Sequence, residues 1–141
     1  AQVLSKRIHF NTYGGNPVVT AMGQAVLEVI DKENLQENSR KLGDHILDGL
    51  EKLKAKHPLI GDVRGKGLML GIELVTNRKT KEPARAECAK VLERAREMRL
   101  LLGKGGLFGQ TVRFAPPMNI TKADADFLLE VLDAAFTDLC G

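Results

Sequence analysis

The sequence predicts an α+β fold: a small, mostly antiparallel sheet with helices packed on one face. Three observations carry that prediction. Apolar residues recur at helical spacing in several stretches, they alternate with period two between Gly67 and Val75, and Gly or Pro punctuates the junctions. The order helix, helix, strand pair, helix, strand, strand, helix best fits such a sandwich. With 141 residues the chain has the length of one domain. It is 43% apolar but only 4% aromatic, without Trp, so aliphatic side chains must fill the core.

Residues 1–15 read as a lead-in segment ending in the turn Asn11-Thr12-Tyr13-Gly14-Gly15. Asn16-Pro17 then carries helix-start chemistry, an Asx cap followed by proline at the first helical position. Val18, Met22, Ala25, Val26, Val29 and Ile30 continue at helical spacing. A second helix is expected from about Asn34 to Lys56, with Leu35, Leu42, Ile46, Leu50 and Leu53 along one stripe. His57-Pro58 stops it, because the residue before proline is pushed out of the helical region. Leu59 to Arg64 and Gly67 to Val75 read as an antiparallel pair, turning at the glycines that flank Lys66. On the second strand Leu68, Leu70, Ile72 and Leu74 share one face. A third helix is expected over Arg85 to Arg99, with Ala89, Leu92, Ala95 and Met98 inward. Leu100-Leu101-Leu102 reads as a short apolar strand, Gly103 to Gly109 as a flexible hairpin connection, and Thr111 to Ala115 as the last strand. Pro116-Pro117 forbids further ladder bonding. Thr121 with Asp124 approximates a capping box for a final helix, whose buried face is Phe127, Leu128, Val131, Leu132, Ala135 and Leu139.

Composition excludes several classes. No apolar run approaches the 18–20 residues of a membrane-spanning helix. The 21 basic and 18 acidic residues are interspersed, and the net charge is +3. Nucleic-acid binding wants a basic stripe, and the densest basic run, Arg78-Lys79-Thr80-Lys81, is broken at once by Glu82-Pro83 and reads as a solvated hairpin tip. Cys88 and Cys140 are far apart, a pattern expected of a reducing, intracellular compartment. His9, His45 and His57 are isolated, so no metal site is expected. The chain opens Ala1-Gln2-Val3-Leu4, with neither an initiator Met nor a signal pattern. That leaves a processed product or a piece of a longer protein.

Three places invite chemistry. The glycine-rich loop fails as a dinucleotide fingerprint, since Phe108 stands where the third glycine belongs and a strand follows. Arg113 points away from Val112 and Phe114, beside the rigid Pro116-Pro117 corner. It is either a bidentate carboxylate clamp or a structural ion pair, and Arg64 shares the ambiguity. Thr12 to Pro17 offers a hydroxyl and backbone N–H groups ahead of a helix, which suits a phosphate or simply a capped turn.

Three motifs stand in order: Phe10-Asn11-Thr12-Tyr13-Gly14-Gly15-Asn16-Pro17, Gly61-Asp62-Val63-Arg64-Gly65-Lys66-Gly67-Leu68-Met69 and Val112-Arg113-Phe114-Ala115-Pro116-Pro117. Together, from about Ile8 to Leu139, they resemble the C-terminal portion of class III aminotransferases, enzymes dependent on pyridoxal phosphate. Within that class the chain looks most like the alanine–glyoxylate type. The resemblance implies a lead-in over 1–16 from a large domain and a small C-terminal domain over 17–141. It implies that the Schiff-base lysine lies outside this chain, because Lys6 lacks matching flanks, so no catalytic residue is expected here and this part alone is expected to be inactive. By the same resemblance Thr12 matches the threonine that reaches the cofactor phosphate of the neighbouring subunit in a homodimer, with Gly14 and Gly15 letting the backbone approach. Arg113 matches the arginine that holds the substrate α-carboxylate of an amino acid and a keto acid. Arg64 and Lys66 are left structural. Relatives of the alanine–glyoxylate type imply a mitochondrial matrix location in a eukaryote and a cytoplasmic one otherwise. Two rival readings remain: a non-catalytic α+β module binding a small carboxylate or mediating dimerisation, and a class III aminotransferase acting on an ω-amino acid.

Overall fold

The computed structural model describes Lys6 and residues 11–140; Ile8, His9, Phe10 and the side chain of Cys140 lie outside the described residues. The chain divides into two compact units, residues 1–34 and residues 35–141.

The first unit contains helix α1, Pro17–Lys32. Asn16 caps it as expected: its Oδ1 accepts from Val19 N at 3.0 Å, and proline occupies the first turn. Asn34 follows in the left-handed region (φ 56), which Asn tolerates after a helix C-terminus. The apolar periodicity produces the helix, yet none of its residues is buried, and Met22 remains 64% exposed.

The second unit is the predicted sandwich. Its elements are α2 (Leu35–Lys56), β1 (Ile60–Lys66), β2 (Met69–Asn77), β3 (Glu82–Pro83), α3 (Arg85–Glu97), β4 (Gly103–Gly105), β5 (Thr111–Phe114) and α4 (Lys122–Cys140). The strands run β1-β2-β5-β4, all neighbours antiparallel, with β3 paired to the far end of β2. α2 packs on β1 and β2, α3 on β2, β4 and β5, and α4 against both helices. One core results. Leu70, Ile72 and Leu74 of β2 and Val112 and Phe114 of β5 meet Ile46 and Leu50 of α2, Cys88 and Val91 of α3, and Leu132 and Phe136 of α4. Burial at this scale is the main source of stability, about 1.5–3 kcal/mol for each large aliphatic side chain. Burial also pushes the Cys88 thiol up from its ordinary range.

Several local expectations shift. The β1–β2 turn is Gly67-Leu68, so of the two glycines flanking Lys66 only Gly67 lies in it, because Gly67 (φ 54) supplies the positive φ at the first central position while Gly65 and Lys66 still pair with Leu70 and Met69. Gly43 of α2 faces it so closely that a Cβ there would stand 2.2 Å from Gly67 O. On α3 the inward face is Cys88, Val91 and Ala95, continuing from buried Ala84, so Ala89 is exposed. On α4 the face is Ala125, Leu128, Val131, Leu132, Ala135 and Phe136, and Phe127 is exposed. Leu100-Leu101-Leu102 forms no ladder; the strand that pairs with β5 is the glycine segment Gly103–Gly105. The capping box is realised reciprocally: Thr121 N donates to Asp124 Oδ2 at 2.8 Å, and Asp124 N donates to Thr121 Oγ1 at 3.2 Å.

Candidate functional site

The face of the sheet away from the helices carries the candidate chemistry, and strand register orders it into rows. Arg64, Gly71, Arg113 and Gly103 are successive cross-strand partners on β1, β2, β5 and β4. Asp62, Glu73, Thr111 and Gly105 form the adjoining row.

Arg64 is held as an ion pair. Its Nη1 lies 2.6 Å from Asp62 Oδ2 and 2.8 Å from Glu73 Oε2. Glu73 also accepts from Gln110 Nε2 at 3.1 Å, and Gln110 Oε1 accepts from Phe108 N at 3.1 Å. Gln110, first, and then Arg64 hold the Glu73 carboxyl below its usual range. The same chain of hydrogen bonds latches the turn of the glycine-rich loop onto the sheet. The loop is thus part strand and part tethered turn, with Gly106 (φ 83) and Gly109 (φ 71) supplying its left-handed residues.

Arg113 differs. It stands exposed between buried Val112 and Phe114, as alternation requires. Among the described residues no hydrogen-bond or ion-pair partner meets its guanidinium. It borders a cleft of about 360 Å³ whose walls include Leu100, Leu101, Gly103, Ala115, Pro116 and Pro117. The wall beyond β5 is fixed from outside the strand, because Asn38 Nδ2 donates to Met118 O at 2.8 Å and Ile120 O at 3.0 Å. A positive charge without a partner, set against a fixed apolar wall, is the geometry for taking a carboxylate through two N–H donors.

The Thr12 turn belongs to the first unit. Asn11 Oδ1 accepts from Tyr13 N at 3.1 Å and Gly14 N at 3.0 Å, closing an Asx turn with the Thr12 side chain exposed on it. A Cβ on Gly14 would meet Asn11 Cγ at 3.0 Å, whereas one on Gly15 (φ 74) would meet nothing within 4 Å. The structure therefore brings Arg113 to Arg64 and Gly103, and Thr12 to Gly14 and Gly15.

Sequence reading missed three residues with defined work. Arg78, in the basic hairpin tip, turns back and donates from Nη2 to Lys54 O and, at 2.9 Å, to His57 O, while its Nε donates to Ile60 O at 3.0 Å. It thereby satisfies carbonyls at the end of α2. His57 is buried and donates from Nε2 to Asp133 Oδ1 at 2.6 Å, with Lys56 Nζ 2.7 Å from the other carboxylate oxygen. His45 and Asp126 make a like pair at 2.6 Å, so two of the three histidines expected to be isolated tie α2 and the residue after it to α4, while His9 lies outside the described residues. Each contact joins residues distant in sequence, and no local signal marks it. Among the described residues no group of His, Cys, Asp and Glu could hold a metal ion, and no helix is long and apolar enough to cross a membrane.

The chain matches the family described as aminotransferase class-III over residues 1–136. It is 51% identical over 139 residues to an Arabidopsis thaliana protein named alanine–glyoxylate aminotransferase 2 homolog 2, mitochondrial, covering 99% of this chain and 29% of that one. It is 50% identical over 130 residues to the Homo sapiens mitochondrial alanine–glyoxylate aminotransferase 2, covering 92% of this chain and 25% of that one. The chain thus spans less than a third of these relatives' length. Among solved structures, a Bacillus anthracis aminotransferase superposes with a TM-score of 0.86 at 37% identity, over 94% of this chain and 30% of that one. A PLP-bound amine transaminase from an uncultivated Pseudomonas species superposes with a TM-score of 0.84 at 32% identity, over 95% of this chain and 30% of that one. These likenesses confirm the α+β class and do not favour a non-catalytic module. The chain belongs to the class III aminotransferase family.

Proposed function

We propose that this chain is the substrate-carboxylate side of a pyridoxal-phosphate-dependent aminotransferase that moves an amino group from alanine, or a similar donor, to glyoxylate or another keto acid. The observation that carries the reading is Arg113, exposed in its cleft with no partner among the described residues. Names of relatives at about half identity supply the donor and acceptor. The ω-amino acid reading gains less, because the amine transaminase neighbour is only 32% identical.

An amino acid and a keto acid differ at the α-carbon but share the carboxylate, so one guanidinium serves both half-reactions. Arg suits this because it stays charged at any working pH and its planar fork matches the two carboxylate oxygens. Leu100, Leu101, Pro116 and Pro117 offer apolar surface beside that pair and no competing charge. Pyridoxal phosphate, when bound, supplies the electron sink and carries the amino group. The donors of the Thr12 turn fit its phosphate: an exposed hydroxyl, a following helix N-terminus, and glycines that keep side chains away. We assign Thr12 and Gly15 to that phosphate, across the interface of a homodimer, with Gly14 closing the turn on Asn11. The lysine that bonds the cofactor is assigned to no position in this chain, and we assign residues 17–141, which take in α1 and the whole of the second unit, to the small domain. The relatives' names place those proteins in mitochondria, and the mitochondrial matrix is our assignment if the source is eukaryotic.

In the full-length enzyme, Arg113→Ala should raise KM for both amino-acid and keto-acid substrates by roughly 30-fold, as loss of a charged hydrogen bond worth about 2 kcal/mol requires. An unchanged KM places the carboxylate elsewhere.

A further inference from the structure

We infer that Gly103 is a positioning residue for Arg113: the side chain it lacks is the space in which the arginine side chain lies. The inference rests on the reading that Arg113 takes the substrate carboxylate.

Three observations converge. First, Gly103 and Arg113 are direct cross-strand partners, and the partner on the other flank is Gly71, so Arg113 is bordered by glycine on both neighbouring strands. Directly opposed side chains in a sheet sit about 4.5–5.5 Å apart at Cβ and ordinarily constrain one another; here neither neighbour has a Cβ. Second, the two glycines are not equivalent. A Cβ built on Gly103 would stand 3.3 Å from Arg113 Nε, 3.3 Å from Arg113 O and 3.6 Å from Arg113 Cβ, so every atom it crowds belongs to Arg113. Both 3.3 Å approaches are closer than the roughly 3.5–4.0 Å of ordinary contact, and the arginine side chain, freer than the strand backbone, would have to give by a few tenths of an ångström. A Cβ on Gly71 would meet Thr111 Cγ2 at 3.5 Å and no Arg113 atom among its nearest neighbours. Third, the backbone does not require glycine at 103. Its φ lies outside the left-handed region, unlike Gly106 (φ 83) and Gly109 (φ 71) in the turn that follows. Glycine has poor strand propensity, and a strand of Gly103-Lys104-Gly105 weakens the ladder unless the missing side chain does something. At Gly103 it leaves room for the Arg113 side chain, whose Nε lies beside the glycine at the cleft that both residues border.

Gly105 is the internal control. It lies on the same strand and face, but a Cβ there would meet only Thr111 Cβ and O, at 3.9 Å each. In the full-length enzyme, Gly103→Ala should raise KM for amino-acid and keto-acid substrates by roughly tenfold while kcat stays within about twofold, because a displaced clamp weakens carboxylate binding and leaves the reacting groups in place. Gly105→Ala should leave both constants at their wild-type values. In an Arg113→Ala background, Gly103→Ala should add nothing, since its effect passes through the arginine. A wild-type KM for Gly103→Ala in an enzyme whose Arg113→Lys variant has a raised KM overturns the inference alone. So does a KM penalty for Gly103→Ala that persists undiminished without Arg113. A wild-type KM for Arg113→Lys overturns the carboxylate reading and the inference with it.

Discussion

Arg64 and Arg113 occupy one row of one sheet face, separated only by Gly71, yet they live in different electrostatic surroundings. Arg64 faces Asp62 and Glu73 at 2.6 and 2.8 Å, and its charge is spent inside the fold. Arg113 faces a glycine on each side and an apolar wall, and no carboxylate among the described residues reaches it. The residue type is the same, and so is the strand alternation that sets each side chain on the open face. What separates the paired cation from the one left open is the company kept across the strands. On the β1–β2 half that company is acidic; on the β5–β4 half it is absent.

The contrast can be broken most forcefully at Gly71, which neighbours both arginines. Gly71→Asp would set a carboxylate beside Arg113 and convert it to the Arg64 condition. KM for the keto acid should then rise on the order of 100-fold, because the substrate loses its clamp and meets a like charge. Steady-state kinetics on the full-length enzyme checks this, and a KM within twofold of wild type would show that Arg113 does not meet the substrate.

The acidic half responds to pH instead. Glu73 has its pKa held down in the fold by Gln110 and Arg64, so it stabilises the native state above the unfolded value, about 4.3, and that contribution is lost as pH falls through the lower folded value. Asp133, held down by Lys56 first and His57 second, behaves alike from about 3.9 downward. Thermal midpoints of the full-length enzyme followed from pH 5 into the acid range should therefore fall, and Glu73→Gln or Asp133→Asn should flatten part of that slope. An unchanged slope in both variants would show that these carboxyls titrate alike in folded and unfolded chains.

The smallest effect belongs to Arg64. More than half of its side chain is exposed, so Arg64→Ala should cost less than about 1 kcal/mol, diminish further in salt, and leave KM untouched. A tenfold rise in KM for this variant would erase the distinction between the two arginines.

Much of this architecture was legible in the chain. Leu70, Ile72 and Leu74 alternate because one face of β2 is buried, and the capping residues Asn16 and Thr121 act through their nearest backbone. Arg113's direction followed from its apolar neighbours on β5. The misreadings share a cause, which is that an apolar residue type fixes neither its ladder partner nor what covers it. Leu100-Leu101-Leu102 has strand composition, but Leu101 is 83% exposed and the ladder falls on Gly103–Gly105. α1 shows the same limit, since its apolar stripe specifies a helix and says nothing of what covers it. Contacts across long separations, such as Arg78 on the end of α2 or His57 on Asp133, leave no periodic trace. That no described residue pairs with Arg113 was equally invisible, because it is a property of cross-strand register.

The central claim is that Arg113 binds the carboxylate shared by donor and acceptor. A crystal structure of the full-length enzyme with a bound keto acid or unreactive amino-acid analogue tests it most directly. The account predicts both carboxylate oxygens within about 2.7–2.9 Å of the Arg113 guanidinium nitrogens, as a bidentate pair. A carboxylate held by another cation, with Arg113 turned to solvent, would contradict it.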